Sequence, residues 1–192
     1  MSAATEHHTH HHSEGNYSIL TTDRIGLWLF LLSESMLFLG LLSARFYLAG
    51  TFRPPELNQA LGIGITSILL VSSLTMFRSE VAIRHGDQSS FLRHMLITIV
   101  LSILFLGGVA YEWSQAFTHF PPNTVFGTIF FSMTGMHALH VLSGIFLMLL
   151  IYRNGRTGKY DEHNHWSVEA TAKYWHMVDV VWVFFYAALY LV

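Results

Sequence analysis

Cysteine is absent from the 192 residues, which excludes disulfides, zinc–thiolate sites and iron–sulfur clusters. Charge is scarce as well. Asp, Glu, Lys and Arg together make up 11% of the chain, against roughly 25% in ordinary soluble domains, too few to wet the surface of a globule. No long basic or acidic run occurs, so the electrostatic footprint of a nucleic-acid binder is missing. The net charge of −2 names no partner. What the chain has in quantity is apolar surface: 52% hydrophobic residues, 15% aromatic, and a mean hydropathy of +0.43. The class that remains is an integral membrane protein.

A bilayer core about 30 Å thick takes roughly 20 apolar residues as a helix. Five stretches meet that requirement: residues 25–48, 61–77, 95–111, 125–152 and 174–192. Their apolar runs are continuous and do not alternate with period two, which favours helices over barrel strands. The expected architecture is all-α, a polytopic membrane protein with a bundle of five transmembrane helices over residues 24–192, preceded by a polar His-rich tail over residues 1–23. The first 24 residues are polar and do not read as a cleavable signal, so the first span is expected to act as its own insertion signal. Short connections make consecutive helices antiparallel neighbours. Pro54-Pro55 and Pro121-Pro122 break two of those connections. No internal repeat is visible, which weakens a transporter reading.

Eight basic residues (Arg24, Arg78, Arg84, Arg93, Arg153, Arg156, Lys159 and Lys173) fall on one side of this topology, and Arg45 and Arg53 on the other. Positive residues stay cytoplasmic. The expected location is therefore a bacterial plasma membrane, multi-pass, with the amino terminus cytoplasmic and the carboxyl terminus outside. The tail residues His7, His8, His10, His11 and His12 could chelate a divalent metal without a fold. A disordered polar tail or part of an expression tag is the favoured reading, although Thr9 interrupts the run, and they are assigned no function.

Ionisable groups inside a membrane each need a reason. Glu34 lies about 13 Å into the first span at 1.5 Å per residue, too deep to snorkel easily. It either carries a proton or has a partner: a proton-handling carboxyl, or a helix–helix hydrogen bond that fixes packing. His137 and His140 are three apart and share a face of the fourth span. His176 and Asp179 repeat that spacing in the fifth, with Tyr186 and Tyr190 extending the stripe. A metal or haem site is one reading of these residues. Hydrogen bonding between helices is the favoured one, with no metal and no catalytic residue assigned. Glu112 and Trp113, beside Tyr111, fall at the outer end of the third span, where aromatic anchors belong. Gly62, Thr66 and Ser73 form a small-residue stripe read as packing. Arg45 is expected to reach the outer interface rather than pair with Glu34.

These segments resemble a known family. The run Tyr174-Trp175-His176-Met177-Val178-Asp179-Val180-Val181-Trp182 is similar to the closing signature of subunit III of haem–copper terminal oxidases, Trp-His-Phe-(Val or Leu)-Asp-Val-Val-Trp. Thr134-Gly135-Met136-His137-Ala138-Leu139-His140-Val141-Leu142-Ser143-Gly144 resembles its Gly-x-His-x-x-His-Val-x-x-Gly segment. Ser33-Glu34-Ser35-Met36-Leu37-Phe38 resembles the stretch with the family's buried glutamate, and Tyr111-Glu112-Trp113 a fourth, shorter motif. The four occur in the family's order and cover spans one, three, four and five. Met177 stands where Phe is common, and Val109 where a Gln often precedes the glutamate by three residues. Five spans, in place of the seven of the longer mitochondrial-type subunit, resemble the short bacterial form found in quinol oxidases and several cytochrome c oxidases. The first two helices of the longer form wall a lipid-filled cleft, so in the short form one wall is supplied elsewhere or missing.

The resemblance implies an accessory, non-redox subunit of an oxygen reductase in an aerobic respiratory chain, driven by cytochrome c or quinol. No cofactor is implied in this chain. Haems and copper belong to partner subunits, and bound phospholipid is implied. The partners implied are oxidase subunits I and II, a small subunit IV and membrane lipids, with no nucleic acid. This chain would pack on catalytic subunit I and support its stability, proton uptake and dioxygen access. Glu34 would be the buried carboxyl toward the proton-uptake side, and His137, His140, His176 and Asp179 an interhelical polar network. Alternatives that stay open are a subunit III-like partner of a nitric oxide reductase, a stand-alone haem-binding carrier, and a proton-coupled transporter.

Overall fold

The computed structural model describes residues 19–51, 54–55 and 57–192. The histidines of the tail and Arg53 lie outside the described residues. Five helices form, α1 (Ile19–Ala49), α2 (Gln59–Arg84), α3 (Gln88–His119), α4 (Val125–Arg156) and α5 (Trp166–Tyr186), with a π-helical turn over Ala187–Leu191. All five are long and apolar enough to cross a membrane, and no strand occurs among the described residues. The all-α, five-span expectation is met. Each helix outruns its apolar core. α5 begins at Trp166, eight residues ahead of the expected 174, because Glu169 and Lys173 pair with each other inside its first turns and so let charged residues extend the helix.

Local chemistry sets the ends. Asn58, Asp87 and Thr124 cap α2, α3 and α4, accepting backbone N–H bonds from Leu61, Ser90 and Gly127 at 3.1, 2.9 and 3.1 Å, each satisfying a donor that the helix cannot. The bonds from Ser90 hold the exposed Asp87 carboxyl below the usual carboxylate range. Between α2 and α3 the N–H groups of Gly86 and Asp87 reach back to the carbonyls of Ile83 and Ala82, both at 3.0 Å. Gly86 adopts φ 73° there, a left-handed conformation that a Cβ would strain.

Helices α2, α3, α4 and α5 form a four-helix ring in which each packs on the next and α5 closes on α2. α1 lies outside that ring, against α4 and α5. Burial follows this layout: 11% of the most apolar window of α1 is buried, against 56% of that of α5. Large rings fill the interior, and small residues admit them. A Cβ on Gly144 would sit 2.8 Å from the Trp175 ring, and one on Gly62 would sit 2.7 Å from the Tyr190 ring. Both distances are shorter than any packed contact. The indoles also bond across helices: the buried Trp175 to Ser72 at 3.2 Å, the buried Trp182 to Thr66 at 3.0 Å, and the half-buried Trp113 to Thr134 at 3.0 Å.

Candidate functional site: buried polar groups between the helices

Glu34 and His140 meet across the α1–α4 contact, with Oε2 and Nε2 2.9 Å apart. The His140 ring is fixed twice more. Its Nδ1 lies 2.8 Å from the Met136 carbonyl, one turn back on α4, and its edge meets the Phe38 ring with centroids 4.6 Å apart. A carbonyl can only accept, so Nδ1 carries a hydrogen. Nε2 then bears a hydrogen only when the ring is cationic. Two lone pairs do not meet stably at hydrogen-bond distance, which leaves two forms, a carboxylic acid donating to neutral imidazole or a carboxylate accepting from imidazolium. In both, the pair is neutral and holds one mobile proton.

Close to this pair, Tyr174 and Ser143 share a hydrogen bond of 2.6 Å, and the Tyr174 hydroxyl lies 3.3 Å from the His140 carbonyl. Both hydroxyl-bearing residues line a cavity of about 630 Å³ between α1, α4 and α5. Leu27, Phe30, Phe146 and Leu147 supply its apolar walls, and Asn154 and Lys159 lie at the arginine-rich end. At the same end the Trp166 ring is flanked by Arg24 at 5.6 Å and Lys173 at 5.3 Å.

The other residues singled out in the sequence occupy separate places. His137 is fully buried and makes no hydrogen bond among the described residues. Its ring lies tilted against Trp182, with centroids 4.8 Å apart, and nearly perpendicular to Phe105 at 5.8 Å. His176 bonds Ser73 on α2, Nδ1 to Oγ 2.8 Å. Asp179, one turn on, faces the same Ser73 hydroxyl without closing a hydrogen bond to it, and both its oxygens are unpartnered among the described residues. Ser73, and not Asp179, is therefore the hydrogen-bond partner of the His176 ring. The four residues do not form one connected network: His140 joins α4 to α1, His176 joins α5 to α2, and His137 packs against aromatic rings.

The segment at 111–113 divides. Tyr111 is exposed, whereas Glu112 is 5% exposed and accepts from the Tyr190 hydroxyl at 2.5 Å. Adjacent residues on a helix point about 100° apart, so a motif read as a single interface feature serves two surroundings. Arg45 points to the outer end of α1 and does not meet Glu34, but it is covered there. It is fully buried, donates to the Gly50 carbonyl at 2.7 Å, and lies over the Phe126 ring at 5.5 Å.

Sequence reasoning missed the hydroxyl partners. Thr66 and Ser73 were read as small packing residues, yet each carries a hydrogen bond to α5. The available signal was their recurrence at helical spacing opposite a segment rich in Trp and His. No group of three or more His, Cys, Asp or Glu placed to hold a metal ion occurs among the described residues.

Comparison with known proteins agrees along the whole chain. The family model for cytochrome c oxidase subunit III matches residues 3–192. The chain is 36% identical to cytochrome c oxidase subunit 3 of Synechocystis sp., over 86% of this chain and 74% of that protein. It is 36% identical to the Thermostichus vulcanus subunit, over 95% and 90%. It is 33% identical to the probable cytochrome c oxidase subunit 3 of Mycobacterium tuberculosis, over 88% and 87%.

Proposed function

Because the chain belongs to the cytochrome c oxidase subunit III family, an accessory part of a haem–copper oxidase, we propose that it packs on catalytic subunit I and sustains its turnover. Redox chemistry is carried by other subunits, subunits I and II, with a small subunit IV as a further member of the complex. The basic ends of the helices face the cytoplasm of a bacterial plasma membrane, with the carboxyl terminus outside, as eight of ten Lys and Arg require under the positive-inside rule.

The Glu34–His140 pair carries the functional reading. A neutral pair with one mobile proton can take up a second when the imidazolium forms beside a protonated acid, or release its own. It sits beside a cavity whose lining extends to Asn154 and Lys159 at the basic end. In this role the pair buffers protons on the uptake side of the catalytic subunit, while His176 holds α5 to α2 through Ser73, with Asp179 one turn on beside it, and Glu112 with Trp113 anchors the opposite end. The cavity takes a phospholipid, its acyl chain along Phe30, Phe146 and Leu147 and its phosphate toward Lys159. That lipid maintains a fluid apolar route for dioxygen.

The test is turnover of the purified complex carrying Glu34→Ala. Haem content is expected to stay intact while steady-state turnover slows or the complex inactivates sooner. Wild-type rate and lifetime together would refute the role given to Glu34.

A further inference from the structure

Most of the surface that α2 and α5 turn toward the membrane is apolar, but the seam between them is not. His176 lies ten residues into α5 and Ser73 eleven residues from the end of α2, so both sit about 15 Å from the basic end at 1.5 Å per residue. Both are half-buried. Ser73 occupies Nδ1 of His176, and Nε2 has no hydrogen bond among the described residues. Toward the basic end the same seam carries Glu80, Arg84, Glu169 and Lys173, joined as Arg84–Glu80 at 2.5 Å, Arg84–Glu169 at 4.0 Å and Lys173–Glu169. Residues 73, 80 and 84 share one face of α2, and 169, 173 and 176 one face of α5.

Hydrocarbon offers no hydrogen bond, so an unpartnered imidazole nitrogen on a half-buried residue at that depth is costly against lipid. His140 shows the contrast. It is also half-buried, but Met136 and Glu34 occupy both its nitrogens, and lipid can cover it without loss. The seam charges are two acids and two bases in mutual contact, so a covering helix needs no net charge there. It needs one polar side chain at the level of His176 and apolar contacts at Leu70 and Val183, the exposed residues that flank the seam.

We propose that the α2–α5 seam is the surface on which a transmembrane helix of the haem-bearing catalytic subunit packs, bringing a hydrogen-bonding side chain to His176 Nε2. The proposal rests on the accessory-subunit reading and adds the contact surface to it. The balanced charges make that contact insensitive to salt, and the single polar site sets the register of the two helices.

Photocrosslinking in the purified oxidase complex tests it. Benzoylphenylalanine replaces Leu70 or Val183 at the seam, or Leu104 or Leu139 on other exposed faces, and the adducts are identified by peptide mass spectrometry. The seam positions are expected to capture a membrane segment of the haem-bearing subunit, and the other two to capture lipid or detergent. Capture of that subunit from Leu104 or Leu139 and not from the seam would overturn the proposal, as would capture of a second copy of this chain at the seam. In parallel, His176→Phe is expected to lower the amount of this chain retained by the complex by about fivefold, the factor one hydrogen bond is worth, with His176→Asn recovering part of it. Full retention of His176→Phe would remove the polar contact from the proposal. If the wild-type chain does not travel with haem-bearing subunits at all, the accessory-subunit reading itself fails.

Discussion

Tyr190 donates to Glu112 across 2.5 Å, and the other carboxylate oxygen of Glu112 has no partner among the described residues. The π-helical turn aims the phenol there, and Gly62 leaves room for the ring. Removing the phenol leaves a buried carboxyl with no hydrogen bond. Tyr190→Phe should therefore destabilise the chain by about 1–3 kcal/mol, read as an earlier loss of this subunit on thermal titration of the complex. Pairing it with Glu112→Leu should recover most of the loss, since both polar groups are then gone. Equal damage in the double variant would show that the ring position, not the bond, matters.

Glu34→Gln separates packing from proton holding. The glutamine amide can donate to Nε2 of neutral His140 and keep α1 on α4, but it has no proton to exchange. The complex should retain this subunit at wild-type level while turnover falls toward that of Glu34→Ala. Wild-type turnover in Glu34→Gln, with a defect only in Glu34→Ala, would reduce the pair to a structural tie.

Gly144→Ala drives a methyl group into the Trp175 ring, where the new carbon would stand 2.8 Å from ring atoms. Overpacking of this kind costs about 1–3 kcal/mol. The α4–α5 contact should loosen, and the lowered midpoint of thermal dissociation measures it. An unchanged midpoint would mean that α5 shifts freely, which its burial does not favour.

Leu147→Trp fills part of the cavity lined by Phe30 and Phe146. The phospholipid retained by the purified complex, counted by mass spectrometry, should fall by one or more molecules per complex, and inactivation during turnover should speed up. Unchanged lipid count and lifetime would leave the cavity without the role given to it.

A reporter fused ahead of residue 19 should be active only on the cytoplasmic side, and one fused after Val192 only outside. Reversed activities would show that the eight basic residues do not govern insertion.

The number and type of the helices were legible because each span exceeds the apolar length a bilayer demands, and no competing pattern resembles that signal. Helix ends were less so: residues 166–173 extend α5 through the pairing of Glu169 and Lys173, which spacing does not reveal. The chemistry-bearing residues could be chosen from depth alone, since Glu34, His140, His176 and Asp179 are all out of place in hydrocarbon. Their partners could not. Whether His140 meets Glu34 or Asp179 depends on which helices touch, and nothing in one sequence states that α1 packs on α4 and not on α2. Arg45 illustrates the same gap, as its cover comes from Phe126, 81 residues further along the chain.

The position of α1 outside the ring has a consequence for biosynthesis. It leaves the ribosome well before the helices it rests on, α4 and α5. His140 is made 106 residues after Glu34, a delay on the order of 5–20 s at typical translation rates of roughly 5–20 residues per second. Through that interval the Glu34 side chain waits in the lipid or the insertion machinery with no imidazole to meet it. The cost of an intramembrane carboxyl without its partner is therefore borne throughout synthesis of α2 and α3, and is relieved only when α4 arrives.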